Sequence, residues 1–266
     1  MQRQYGQADD QHEGIEIQGL AAPVEVRRHP AARRLTLRVS PVRRTVILTM
    51  PDACDLDEAG TFVEKNLDWL HERLASLPQV MPFIDGGAVP VRGRMHRLCF
   101  VGAKRGSQIV WVEQLDGRGR RANGGARARR ANERSCRLCV SGRVEHAPRR
   151  LRDWLVSEAR ADLQDRVSWH SRNLQLKPRR IAVRDQTTRW GSCSSSGVLS
   201  FSWRLILAPT LVLDYVAAHE VAHLQEMNHG PRFWDLVRMT MPRMEEAQRW
   251  LKRHGGDLHS YGAEEA

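Results

Sequence analysis

The chain has 266 residues, 41% of them hydrophobic, enough to bury one large domain or two small ones. Its formal net charge of +11 and pI near 10.3 keep nucleic acid open as a partner through a basic surface. No run of about 18 uncharged apolar residues occurs and the start MQRQYGQADDQHEG is polar, which argues against a membrane partner and a signal peptide and gives a soluble, cytoplasmic expectation.

Residues 1–20 read as a flexible tail. From Val24, the segments VEVRRHP, RRLTLRVS and RTVILTM alternate apolar and polar residues between Pro30, Pro41 and Pro51, predicting three strands of a meander. DLDEAGTFVEKNLDWLHERLASLP then places Leu56, Phe62, Val63, Leu67, Leu70, Leu74 and Leu77 at helical spacing, ending at Pro78. A hairpin is expected around Asp85, Gly86 and Gly87, followed by the strands QIVWV and CRLCV. Between those strands, at about 116–134, lies a Gly/Arg/Ala-rich loop whose residues Gly117–Arg134 hold seven arginines and one glutamate, more than half of the excess positive charge. It holds no aromatics to stack bases, so a solvated insertion outweighs a phosphate-binding segment.

The pattern changes near Pro148, which divides a β-rich N-terminal domain at 21–147 from a helix-rich part at 148–258, with a tail at 259–266; the class is α+β. A long amphipathic helix carries Leu151, Trp154, Leu155, Ala159, Leu163 and Val167 on one stripe. The strand RRIAVRD follows, then the turn TRWGSCSSSG, then VLSFSWRLILAP with Leu199, Phe201, Trp203, Leu205 and Leu207 on one strand face. Three helices close the chain: Leu211 to about Met227, a short one from Arg232, and Pro242 to His254. Trp69, Trp154, Trp169, Trp203, Trp234 and Trp250 read as core. Five cysteines, an odd number spread over the chain, suit reduced thiols, and the lone C-x-x-C of Cys136 and Cys139 lacks the second pair of a zinc ribbon.

Chemistry concentrates in LDYVAAHEVAHLQEMNHGPRFW. On a helix, His219 and His223 lie on one face one turn apart, placed to hold a single ion, and Glu220 lies about 100° round from His219. This is H-E-x-x-H, in which zinc lowers the pKa of bound water to about 7 and the glutamate is the general base. The competing reading, core histidines bonded to neighbouring carbonyls, leaves two imidazoles and a carboxylate to find separate partners on a helix that is apolar nearly all round. A catalytic zinc takes three protein ligands and keeps one open position. His229 is the best third ligand if the helix ends before it, and Asn228, Gly230 and Pro231 supply that exit; Glu226, Glu245 and Glu246 are rivals.

The segments TRWGSCSSSG, LSFSWRLILAP, LDYVAAHEVAHLQEMNH and PRFW together resemble the YgjP-like metallopeptidase domain, a relative of the SprT and WLM zinc peptidases. The resemblance implies a zincin-like catalytic domain behind a β-rich N-terminal part, one Zn2+ per chain on His219, His223 and His229, and Glu220 as the catalytic glutamate. It also suggests that VLSFSWRLILAP lies beside the site helix, where an extended peptide can add to a sheet edge. Trp190, Gly191, Ser192 and Arg204 are candidate substrate contacts, and Arg189, Arg204, Tyr215 and Tyr261 are candidate oxyanion stabilisers. Cys193 is not needed as a nucleophile beside Glu220 and the histidines. The reading is a zinc metallopeptidase acting on peptide or protein substrates; the alternative is a nucleic-acid-associated binding or adaptor protein with a structural metal.

Overall fold

A computed structural model describes residues 5–8, 12–40, 43–102, 108–114, 136–186 and 188–263, so the Arg-rich loop lies outside the described residues. The chain forms two compact units, one of residues 1–80 with 263–266 and one of Met81–Gly262.

The first unit holds β1 (Tyr5–Ala8), β2 (His12–Ile15), β3 (Val24–Arg28), β4 (Thr36–Val39) and β5 (Val46–Met50) in one sheet of order β1-β2-β3-β5-β4. Two of these strands fall inside the expected tail at 1–20, and Ile15 and Ile17, two apart and on one face, enter the core with Val24, Val26, Val46 and Leu48. The expected meander is not formed either. β3 pairs parallel with β5, which lies inside the sheet between β3 and β4 with four of its five residues buried, while β4, half exposed, stays at the edge. The expected single helix is two, α1 (Leu56–Glu64) and α2 (Leu67–Ala75). Asp55 caps α1 by accepting from the Glu58 N–H, and the Asn66 side chain donates to the Phe62 carbonyl where the helix breaks.

In the second unit, β6 (Ala88–Val91), β7 (Arg94–Val101), β8 (Val110–Gln114) and β9 (Cys136–Ser141) form a sheet of order β6-β7-β9-β8. The hairpin turns at Arg92 and Gly93, both at positive φ, rather than at Asp85–Gly87. A Cβ on Gly93 would lie 2.9 Å from Cα of Pro209, so only glycine fits. Arg92 itself pairs with Glu158 and Asp162 of α3 (Ala147–Leu174) at 2.7 and 2.8 Å. The sheet therefore shares one core with α3: Val89, Val91, Leu98, Leu138 and Val140 pack in a cluster with Leu151, Leu155 and Leu163. For this reason the compact units divide after Val80, whereas the change of composition lies at 147/148. Cys136 and Cys139, three apart on β9, face opposite sides of the sheet, and all five cysteines are free.

A second sheet of order β10-β12-β11 joins β10 (Arg180–Arg184), β11 (Gly191–Cys193) and β12 (Val198–Ser202). TRWGSCSSSG is thus more than a turn, since its middle is the edge strand β11. VLSFSWRLILAP is less than a strand, because after Ser202 the chain enters a 3-10 turn over Trp203–Leu207 with all five residues buried. Three helices follow, α4 (Thr210–Ala222), α5 (Pro231–Thr240) and α6 (Met244–His254). The expected tail at 259–266 is packed as far as it is described: His259 stacks on Trp190, and the Ser260 carbonyl accepts from the Met81 N–H. Trp69 and Trp169 are exposed, the latter with the Arg166 guanidinium over its ring, while Trp203 is buried. No described helix is long and apolar enough to cross a membrane.

Candidate metal centre

α4 is buried nearly all round, and its C-terminal end carries the site. The helix stops at Ala222 with His223 as its cap, several residues before the expected end near Met227. The early stop leaves residues 224–230 to curl back, and Pro231 opens α5 at its first position. That curl brings His229 against α4: its Nε2 lies 3.1 Å from Nε2 of His219, which is 3.2 Å from Nε2 of His223. One nitrogen from each of the three rings lies within 4.8 Å of the others, and among the described residues this is the one group able to hold a metal. Glu226, Glu245 and Glu246 do not join it. Glu226 offers its carbonyl to His223 instead, and Glu245 and Glu246 pair with Arg238 and Arg243.

The rings are held from behind. His223 Nδ1 donates to the Glu226 carbonyl at 2.9 Å, which fixes the proton there and leaves Nε2 as a lone pair facing the cluster. Nδ1 of His219 faces the Tyr215 hydroxyl at 3.4 Å, and that hydroxyl accepts from Gln248 of α6 at 3.0 Å. Phe233 of α5, fully buried, packs against all three imidazoles with centroids 4.5 to 4.8 Å away. Burial, then the neighbouring imidazoles, pushes the His219 pKa down to about 3, so the ring is neutral at pH 7. Three imidazoles turning nitrogens to one point are an arrangement that a cation relieves, and the set of three histidine nitrogens suits zinc.

Glu220 points to the same side. It is 4% exposed, its Oε2 has no hydrogen-bond partner, and burial raises its pKa to about 8 against the opposing charge of Arg189. A buried carboxyl with an orphaned oxygen lacks something that the site would bind, and water on a cation meets that need. Gly191 makes room for it, since a Cβ there would sit 2.6 Å from Cγ and Oε1 of Glu220. Thr188, Arg189, Gly191, Ser192, Cys193, Met227, Glu220 and the three histidines line an open cleft of about 580 Å³.

A family model described as "YgjP-like, metallopeptidase domain" matches residues 33–254. The chain belongs to the YgjP-like metallopeptidase family. No curated protein matches it. Among solved structures it is similar to the metallopeptidase zymogen abylysin of Pyrococcus abyssi, at 19% identity over 34% of this chain and 93% of that one. The TM-score is 0.32, too slight a likeness to build on.

Within this YgjP-like domain the structure separates the sequence candidates. Gly191 and Ser192 line the cleft, and Trp190 and Arg204 do not. Trp190 is stacked on His259. Arg204 is 1% exposed and spends its guanidinium on Asp185 and the carbonyls of Leu258 and Tyr261, bracing the segment before β11. Its burial follows from those three acceptors, which no local pattern reveals. Tyr215 stands behind His219 instead of facing the cleft, and Tyr261 lies away from it. β12 is flanked on both sides, so the sheet edge beside the site belongs to β11. Thr188, Met227 and the packing of Phe233 were not anticipated; only Tyr215, four residues before His219, carried a readable signal for its place behind the ring.

Proposed function

We propose that the protein is a zinc-dependent peptidase of zincin-like architecture, with His219, His223 and His229 holding one zinc per chain and Glu220 acting as general base. The observation that carries this reading is the convergence of three imidazole nitrogens beside the unpartnered Oε2 of buried Glu220. Bound there, zinc would supply Lewis acidity and bring the pKa of water to about 7. The residues of the chain account for the rest. A cation at the cluster favours the ionised form of Glu220, whose pKa burial raises to about 8 against the charge of Arg189. Its free Oε2 then takes a proton from the attacking water and returns it to the leaving amine. The peptide lies in the cleft along the edge of β11, where Gly191 and Ser192 present backbone to it.

A closed structural site, as in the adaptor alternative, has no use for an orphaned carboxyl on its open side. The Arg-rich segment that carries most of the excess positive charge lies outside the described residues. The test is Glu220→Gln compared with wild type at matched zinc content on an unfolded protein substrate. The variant keeps zinc and loses about 10²–10⁴-fold in kcat; loss of zinc would instead make Glu220 a ligand.

A further inference from the structure

Arg189, a candidate oxyanion stabiliser from the sequence, stands on the wall of the cleft. Its side chain is exposed, and it makes no hydrogen bond or ion pair with any described residue. It is near enough for its charge to act on Glu220, yet the Glu220 carboxyl is buried against Gly191 and does not pair with it. The other charged side chain of the cleft is Glu220 itself, which the reaction needs as a base. Beside a divalent cation, an uncompensated guanidinium in a concave site adds to a positive field that draws in an anionic group. A guanidinium also matches a carboxylate with two parallel donors, a geometry that a lone oxyanion does not require.

We propose that Arg189 is the specificity residue of the cleft and that it pairs with a carboxylate of the bound peptide, from an Asp or Glu side chain or from a free C-terminus. This rests on the peptidase reading above and adds a substrate class to it. The residue two positions before the edge strand β11 is placed to hold a peptide running along that edge, so its partner sets which bond lies over Glu220.

Three peptides of one core sequence test it: one with an internal Glu and an amidated end, one neutral with a free C-terminal carboxylate, and one neutral and amidated. Binding is measured by fluorescence anisotropy to zinc-loaded Glu220→Gln, with and without Arg189→Ala or Arg189→Lys, and cleavage is measured with the same peptides and otherwise wild-type Glu220. At least one carboxylate peptide should bind about tenfold tighter than the neutral amide, as a charge-assisted pair gives. Arg189→Ala should bring that ratio to within about twofold, through KM in the cleavage assay, and Arg189→Lys should restore part of it. Which peptide gains tells a side-chain carboxylate from a C-terminal one. Equal binding of all three, no binding of any, or a uniform fall in kcat with Arg189→Ala would overturn the proposal, the last by making Arg189 an oxyanion donor. Carboxylate-selective binding without cleavage would sink the peptidase reading and leave the carboxylate site standing. Cleavage without selectivity would do the reverse.

Discussion

A methyl group on Gly191 would meet Cγ and Oε1 of Glu220 at 2.6 Å, closer than any unstrained contact, and its three nearest neighbours all belong to Glu220. Gly191→Ala should therefore displace the general base without removing a ligand. The expected result is at least a tenfold loss of kcat, on the order of what a misplacement near 1 Å costs, with zinc content unchanged. Paired kinetics and elemental analysis of the variant check this. At this scale the sequence was most legible where geometry is local. His219, Glu220 and His223 sit on one helix whose period fixes their relation, and Pro231, which opens α5, marked the exit that frees His229, whereas the left-handed backbone expected at Asn228 and Gly230 is not formed, Gly230 being extended. Arg204 is drawn into the interior by three acceptors from residues 19 to 57 positions away, which an arginine beside a cleft motif does not reveal locally.

Among the elements, α4 is anchored by a polar network as well as by its apolar faces. Asp214 accepts from Arg166 and from His170 of α3, and the other nitrogen of His170 meets Thr240 of α5 at 2.7 Å. His170 is fully buried, and burial opposes the Asp214 charge, but the bonds from His170 and Arg166 outweigh it and hold Asp214 below the ordinary carboxylate range. Asp214→Ala should cost about 2–3 kcal/mol in denaturant unfolding, because fully buried His170 loses its acceptor while part-exposed Arg166 can turn to solvent. A loss under about 1 kcal/mol would show that hydrophobic packing alone holds α4 in place. Element type was readable for α3, with its stripe at every fourth residue from Leu151 to Val167, and for α4. Less was readable where tertiary contacts decide. The 3-10 turn at Trp203–Leu207 breaks an alternation that predicted strand, Ser202 accepting from the Arg204 N–H at its start. Lys65 and Asn66 split a helix whose apolar spacing runs through them.

For the whole molecule, the buried titratable groups give the metal-free protein a defined pH profile. His219 and His259, with pKa values pushed down to about 3 and about 4 by burial, bind fewer protons folded than unfolded, so they remove stability as pH falls below about 6.5. Glu220, raised to about 8, binds more protons folded, so its contribution is complete below about 4.5 and is lost as pH rises toward 8. Stability of the metal-free protein should peak near pH 6.5 and fall by on the order of 2 kcal/mol by pH 8.5, and Glu220→Gln should flatten the alkaline fall. An unchanged alkaline limb in the variant would mean that Glu220 is not held protonated. The division into units was not legible in the sequence, because the Arg92 pairs and the shared core that bind β6–β9 to α3 join residues some 70 positions apart.

The most direct test of the three-histidine centre is zinc per chain, by elemental analysis, in wild type and His229→Ala purified in parallel. Near one zinc in wild type and well under half in the variant is the predicted result. A wild type that takes up no zinc, or a His229→Ala protein that holds a full equivalent, would contradict it.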